Sequence, residues 1–506
     1  MRFTRRFTAL TAPALIAATL LAGPIAAQPS QLPARVASII DRAPVDRAHW
    51  AIHVVDAATG AALIEHNADR LFIPASNAKL VVAAAAAHYL EPAFRYSTTL
   101  ETSGDIADGV LRGDLIIRGT GDPTISGRYE DDMLDIWESL ADSLRVHGIR
   151  RIDGSIIADE SHWDSDYVRP DWEVYDLLWW YAAPAGALGF NDNAVDFTIA
   201  PGAVGAPALI TWRPETDYVA FLNRTTTVTA GSPSTLDFTR IAGTDTIIAY
   251  GNIAADAARH TEYFAVDDPG RYTATVFRDV LERSGITVDG RSVRVIRGTS
   301  STGVPGGRGS ATVEAADAGD PGRRRVLVTH RSVPLPQLIA PVLQTSQNWF
   351  AEQLLKTIGR EAGGEGSWSR GLELERRFLI DVVGIDSTTF RLRDASGLSG
   401  GNLITPRTLV QLLAYMQRTP RLAPALAALP VAGGATGSMR RRLEDLRGRV
   451  TAKTGSINNV DSLSGFLTAD SGRRVIFAII ANNSGRPSSA MRPVLDDIVR
   501  AISAAW

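Results

Sequence analysis

The sequence predicts a mixed α/β protein, and three patterns carry the prediction. Strand-like runs stand near both ends of the chain: 50–56 and 61–65 at the start, and 449–454, 462–469 and 475–481 at the end. Apolar helical runs adjoin them at 76–90 and 490–504. Between, from 195 to 253, short Thr, Val and Ile runs alternate with Gly and Pro turns, the mark of a β-rich part.

The elements follow in order. Trp50 to Asp56 reads as a buried strand, Ala57-Ala58-Thr59-Gly60 as its turn and 61–65 as the returning strand. The run 76–90 is apolar on most sides, so it is expected inside a domain. The run 111–117 alternates as one strand before the turn cluster Gly119-Thr120-Gly121-Asp122-Pro123. Helical spacing covers 133–146 and stops at Gly148, and a second helix covers 272–283 and stops at Gly285. The Gly-, Ser-, Ala- and Asp-rich stretch 299–322 reads as a connector near a domain boundary. A short strand at 326–329 follows it, then helices and turns to Gln417. The C-terminal strands are joined at Asp470-Ser471-Gly472 and covered by the last helix.

Composition narrows the function. The 506 residues are 45% hydrophobic and 21% charged, with a net charge of −3, which is ordinary for a globular chain of roughly three domains' length. No general basic field exists to hold a nucleic-acid backbone, so no nucleic-acid partner is expected. The absence of cysteine excludes disulfides, thiol catalysis and cysteine metal sites. No cofactor or metal is expected. Only three lysines, Lys79, Lys356 and Lys453, stand against 49 arginines. An amine can lose its proton in a protein and a guanidinium effectively cannot, so each lysine raises the question of base chemistry.

Residues 1–27 read as a secretory signal peptide. Arg2, Arg5 and Arg6 precede an apolar run at 9–22 and small residues at 23–27. The expectation is a periplasmic or secreted protein, with no transmembrane anchor in the mature chain.

Three short motifs carry the chemistry. Ser76-Asn77-Ala78-Lys79 opens the apolar helix, where three residues make nearly one turn and put Ser76 and Lys79 on one face. A serine hydroxyl needs a base to become a nucleophile, and a lysine amine serves when burial or a second cation lowers its pKa. Ser346-Gln347-Asn348 lies between two helical stretches. Its serine can relay a proton, and Asn348 can hydrogen-bond a substrate amide. Lys453-Thr454-Gly455 ends a strand. Lys453 and Thr454 can hold a carboxylate, with Lys453 also a candidate second cation for Lys79, and Gly455 permits close approach of a ligand. Each motif alone is a weak signal. In this order they form the Ser-x-x-Lys, Ser-x-Asn, Lys-Thr-Gly set of penicillin-binding proteins and serine β-lactamases.

The chain resembles the serine D-alanyl-D-alanine carboxypeptidase/endopeptidases with a large insert, the class C penicillin-binding proteins of the DacB type. Pro74-Ala75-Ser76-Asn77-Ala78-Lys79, Gly113-Asp114-Leu115, Gly121-Asp122-Pro123-Thr124, Asp153-Gly154-Ser155-Ile156, Ala183-Pro184, Asp394-Ala395-Ser396-Gly397-Leu398-Ser399 and Ala452-Lys453-Thr454-Gly455-Ser456 carry the resemblance. So does the gap of about 265 residues between the first two motifs. The resemblance implies a penicillin-binding transpeptidase/β-lactamase-like domain made from 28–98 and 325–506. Residues 99–324 would be an inserted mixed α/β and β-rich region of two nested smaller domains. It implies Ser76 as acyl-enzyme nucleophile, Lys79 as general base, Ser346 as proton donor to the leaving amine and Lys453 as carboxylate ligand. Backbone N–H groups at Ser76 and near Ser456 would form an oxyanion hole. Asp176, at the end of Trp172-Glu173-Val174-Tyr175-Asp176, would read the free amine of a diaminopimelate side chain, although Tyr175 departs from the family's Trp-x-Trp-x-Asp pattern. Ser399-Gly400-Gly401-Asn402 also departs, because relatives often carry arginine after that serine. The expected partners are peptidoglycan peptides, with β-lactams as covalent inhibitors. The alternatives are a serine β-lactamase and a catalytically idle cell-wall binding protein on the same fold. A third pattern, Gly397-Leu398-Ser399-Gly400-Gly401, matches a hydrolase elbow, but no histidine follows His330 to complete it.

Overall fold

The computed structural model describes residues 33–300 and 323–506, apart from residues 43, 242, 291 and 292. The expected signal peptide and most of the 299–322 connector lie outside the described residues.

The two ends of the chain meet in one sheet. Five antiparallel strands stand in the order Ala62–His66, His49–Asp56, Arg474–Asn482, Val460–Thr468 and Val450–Ile457. Successive side chains of a strand face opposite sides, and Arg474–Asn482 uses both. Val475, Phe477, Ile479 and Ala481 join one apolar cluster with Val36, Ile39, Ile498 and Ile502 of the terminal helices Ala34–Ile40 and Ser488–Ala505. Ile476, Ala478 and Ile480 join the other, against Lys79–Tyr89, Leu335–Gln344, Asn348–Gly363 and Pro406–Arg418. The helix Lys79–Tyr89 is buried from Lys79 to Ala87, as its all-round apolar sequence requires. Thr405 caps Pro406–Arg418, its hydroxyl accepting from the Thr408 N–H.

Among the described residues, the intervening chain builds four further sheets. One holds five strands in the order Arg294–Ile296, Ile156–Asp159, Leu115–Arg118, Ser97–Thr102 and Arg325–Arg331. Ser97–Thr102 and Arg325–Arg331 pair antiparallel, so the expected seams at 98/99 and 324/325 fall on one ladder belonging to this sheet. The expected single strand at 111–117 is two. Val110–Arg112 pairs in a four-stranded sheet and Leu115–Arg118 in the five-stranded one, with Gly113 at φ +141° turning the chain between them. The β-rich part resolves into two three-stranded sheets between 194 and 265. One apolar cluster, including Trp137, Phe190, Phe197, Phe238, Tyr272 and Phe277, runs through this whole region and joins its α/β and β-rich parts.

Candidate active site

The nucleophile motif sits on a short 3-10 turn, Ala75–Ala78, which leads into the helix at Lys79. Sequence spacing placed Ser76 in the helix proper. The tighter turn instead arises where the chain is pinned to the sheet. Asn482 Oδ1 accepts from the Ile73 N–H at 2.9 Å, and its Nδ2 donates to the Ile73 carbonyl at 3.1 Å. Ser462 Oγ donates to the Pro74 carbonyl at 2.6 Å, and Asn77 Nδ2 donates to Ser462 Oγ. Gly455 is required here, because a Cβ on it would lie 2.3 Å from Ser462 Oγ and 2.9 Å from the Pro74 carbonyl oxygen. The glycine of the third motif thus admits the nucleophile turn against the strand. That motif also lies within the strand Val450–Ile457, not at its end.

Lys79 is fully buried, with its amine 2.8 Å from Ser76 Oγ. Its other neighbours are Asn348 Oδ1 and the Ser396 carbonyl oxygen, both at 2.6 Å and both able only to accept. A neutral amine has two N–H donors and one lone pair. The two acceptors take the donors, so the lone pair faces the Ser76 hydroxyl. Burial brings the Lys79 pKa down to about 7, opposed by the carboxylates of Asp394 and Glu352. Desolvation therefore brings the loss of this amine's proton down to near neutral pH. Lys453, the expected second cation, is itself fully buried and held well below its usual range by burial and by the Lys79 charge.

Lys453 Nζ donates to Ser346 Oγ at 2.8 Å and to the Thr454 carbonyl at 2.6 Å. Ser346 occupies the bend between two helices at φ +63°, and Gln347 caps the second helix. Asn348 has two duties. Its Oδ1 accepts from Lys79, and its Nδ2 donates to the Tyr181 carbonyl at 2.7 Å, which leaves one amide hydrogen for a substrate carbonyl.

These groups line or underlie a cleft of about 910 Å³. Ser76, Ser346, Asn348, Thr454 and Ser456 open onto it, with Asp176 and Tyr181 on the wall contributed by the 171–181 segment. Thr454 Oγ1 donates to Ser438 Oγ at 2.8 Å, and Ser456 Oγ donates to Asp461 at 2.9 Å. Arg492 stands exposed on the same rim. The Tyr181 hydroxyl donates to Asp176 at 3.0 Å. Burial pushes the Asp176 carboxyl up, and that hydrogen bond pulls it down. Ser399, the serine of the rejected elbow, is buried and donates to Asp171 at 2.6 Å, so it faces no substrate.

Sequence reasoning missed several participants. Tyr181, Ser438 and Arg492 carry no local motif and arrive through long-range folding. Glu352 lies four residues past Asn348, one helical turn along the same helix, and Asp394 lies inside a quoted motif without an assigned role.

With this geometry in hand, comparison with known proteins is decisive. The model of the D-Ala-D-Ala carboxypeptidase 3 (S13) family matches residues 32–304 and 299–502. The chain belongs to that family. It is accordingly a serine D-Ala-D-Ala carboxypeptidase, the reading among those weighed from sequence that the family model names. The D-alanyl-D-alanine carboxypeptidase of Actinomadura sp. strain R39 is 33% identical over 505 residues, covering 96% of this chain and 88% of that one. The D-alanyl-D-alanine carboxypeptidase DacB of Haemophilus influenzae is 26% identical, covering 83% and 82%. The crystal structure of penicillin binding protein 4 (dacB) from Haemophilus influenzae matches with a TM-score of 0.76 at 23% identity, over 92% of this chain and 98% of that one. That likeness gives the α/β penicillin-binding fold.

Proposed function

We propose that this family member hydrolyses the terminal D-Ala–D-Ala bond of peptidoglycan stem peptides, and D-amino-acid cross-links, through an acyl-enzyme on Ser76. β-Lactams would acylate the same serine. The carrying observation is the Lys79 amine, buried, bonded to two acceptor-only groups and 2.8 Å from Ser76 Oγ. Lys79 takes the Ser76 proton as Oγ adds to the scissile carbonyl. The oxyanion forms against the N–H groups at Ser76 and near Ser456. The C–N bond breaks as the leaving nitrogen takes a proton from Ser346, whose hydroxyl Lys453 holds, and Ser346 regains a proton from the Lys79 ammonium, which leaves that amine neutral again. A water then gives its proton to Lys79 and adds to the ester, and Ser76 recovers its hydrogen.

The hydroxyls of Thr454 and Ser456 turn from Ser438 and Asp461 to donate to the terminal carboxylate of the substrate, with Lys453 behind them. Asp176, braced by Tyr181, reads a free side-chain amine on the stem. The same reading takes 28–98 with 325–506 as the catalytic domain and 99–324 as the insert that supplies this wall. It also places the protein in the periplasm or outside the cell. Among the described residues, no helix is long and apolar enough to cross a membrane.

The test is labelling with a tagged penicillin followed by peptide mapping. Label on the peptide containing Ser76 is the expected result, and label on any other peptide overturns the assignment.

A further inference from the structure

Two side chains of the inserted region end on the loop 394–402, which carries a ligand of the general base. Trp172 Nε1 donates to Asp394 Oδ2 at 2.9 Å, and Ser399 Oγ donates to Asp171 Oδ2 at 2.6 Å. Asp394 is fully buried, and the loop wraps its carboxylate. Oδ1 accepts from the Gly397 N–H at 2.8 Å and from Asn402 Nδ2 at 2.7 Å, and Oδ2 accepts from the Ser399 N–H at 2.6 Å as well as from the indole. A buried carboxylate persists as a charge only when donors replace its water, so these contacts set the shape of the loop.

The same loop presents the Ser396 carbonyl to Lys79 at 2.6 Å. The Ser396 N–H is held at 2.8 Å by Glu352 Oε1, and Glu352 Oε2 accepts from Trp368 Nε1 at 2.7 Å. Trp172 and Trp368 meet edge to face, with centroids 6.2 Å apart. Each of the two carboxylates is therefore capped by one member of an indole pair. One indole comes from the inserted region and the other from the catalytic helices. Asp394 is the group that touches both the insert and the loop on which Lys79 rests. Trp172 itself is buried and does not line the cleft.

We propose that Asp394 is a positioning residue for the general base, and the joint through which the 171–176 segment of the insert acts on the reaction. The proposal rests on Lys79 being the base of Ser76. Seating of Trp172 fixes the loop, the loop fixes the Ser396 carbonyl, and that carbonyl takes one of the two N–H donors whose direction leaves the Lys79 lone pair on Ser76. The charge of Asp394 has a second effect. The groups facing Lys79 are the Ser76 hydroxyl, the Asn348 amide, the Ser396 carbonyl, the carboxyls of Glu352 and Asp394, and the side-chain nitrogen of Lys453. Glu375 stands behind them, facing Glu352 and Asp394, with its own carboxyl pushed up by burial. An anion beside an amine favours the protonated form, so Asp394 holds Lys79 partly charged.

Two variants of the full chain test this through acylation by a labelled penicillin, measured against pH. Trp172→Phe keeps an aromatic ring and removes the donor. It should slow acylation about tenfold, the worth of one charge-assisted hydrogen bond in a rate. Asp394→Asn removes the charge. It should slow acylation and move the acid limb to lower pH by about one unit, because Lys79 then frees its lone pair sooner. A merely structural role would lower the rate without moving the limb in that direction. Wild-type rates in Trp172→Phe overturn the coupling to the insert. An unmoved or raised limb in Asp394→Asn overturns the positioning role, and if that variant does not fold, the Trp172→Phe rate decides alone. A wild-type protein that takes no label at Ser76 would instead defeat the function on which the proposal rests.

Discussion

Gly397→Ala should separate the nucleophile from its base. Gly397 follows Ser396 in the loop that bears on Lys79, and it packs against the nucleophile turn. A Cβ built on it lies 1.9 Å from the Ala75 carbonyl oxygen, 2.4 Å from the carbonyl carbon and 3.0 Å from the Ser76 nitrogen. All three atoms are backbone, so no side chain can rotate away, and the two segments must part by at least about 1 Å to restore ordinary contact. A misplacement of that size costs about 100-fold in a positioned reaction. Gly397 is also at φ +80°, where alanine is strained by about 1 kcal/mol. Gly384→Ala separates the two effects. Gly384 has φ +83°, and a Cβ there meets nothing within 4 Å. Stopped-flow acylation with a fluorescent penicillin should show Gly397→Ala slowed about 100-fold and Gly384→Ala near wild type, with both variants losing a few degrees of melting temperature. Acylation of Gly397→Ala within twofold of wild type would refute this account of how the two segments fit.

Lys79→Arg should abolish acylation by labelled penicillin, since a guanidinium has no lone pair to take the Ser76 proton; a rate within tenfold of wild type would remove Lys79 as the base. Asp176→Ala should lower kcat/KM for stem peptides with a free side-chain amine about tenfold more than for acetylated analogues, and equal losses on both would take Asp176 out of substrate recognition. Lys356→Met should destabilise the protein by about 3 kcal/mol in thermal unfolding, because the fully buried ammonium pairs with Asp164 at 2.7 Å, donates to the Asp166 and Ala185 carbonyls and sits 4.3 Å from the Trp368 ring centroid. An unchanged melting temperature would show that this buried pair contributes nothing net.

The terminal strands were legible because each alternates its apolar residues or runs apolar on both faces. Their pairing was not, since the sheet joins His49–Asp56 to Arg474–Asn482 across nearly the whole chain. The apparent strand at 111–117 misled for a related reason. Alternation continues through Gly113-Asp114, yet the two halves pair in different sheets. At the site, Ser76 with Lys79 and Ser346 with Asn348 are local pairs, and spacing exposed them. Burial was legible only in part. The apolar run after Ser76 signals an internal helix, but what discharges Lys79 is its complete desolvation, and no spacing rule gives that. Tyr181, Glu352 and Asp394 meet their partners through contacts far apart in sequence, so nothing local gave them a role, although Asp394 stands in a recognisable motif. The scarcity of lysine did mark all three lysines, and the structure buries every one of them.

The central claim is that Ser76 is activated by an amine that is uncharged near neutral pH. The pH dependence of the acylation rate constant, with label mapped to Ser76 at each point, tests it most directly. Lys79 loses its proton as pH rises through about 7, so the rate should climb across that value and level off above it. A rate that is flat from pH 5 to 9, or that rises only near the ordinary lysine range of about 10, would contradict it.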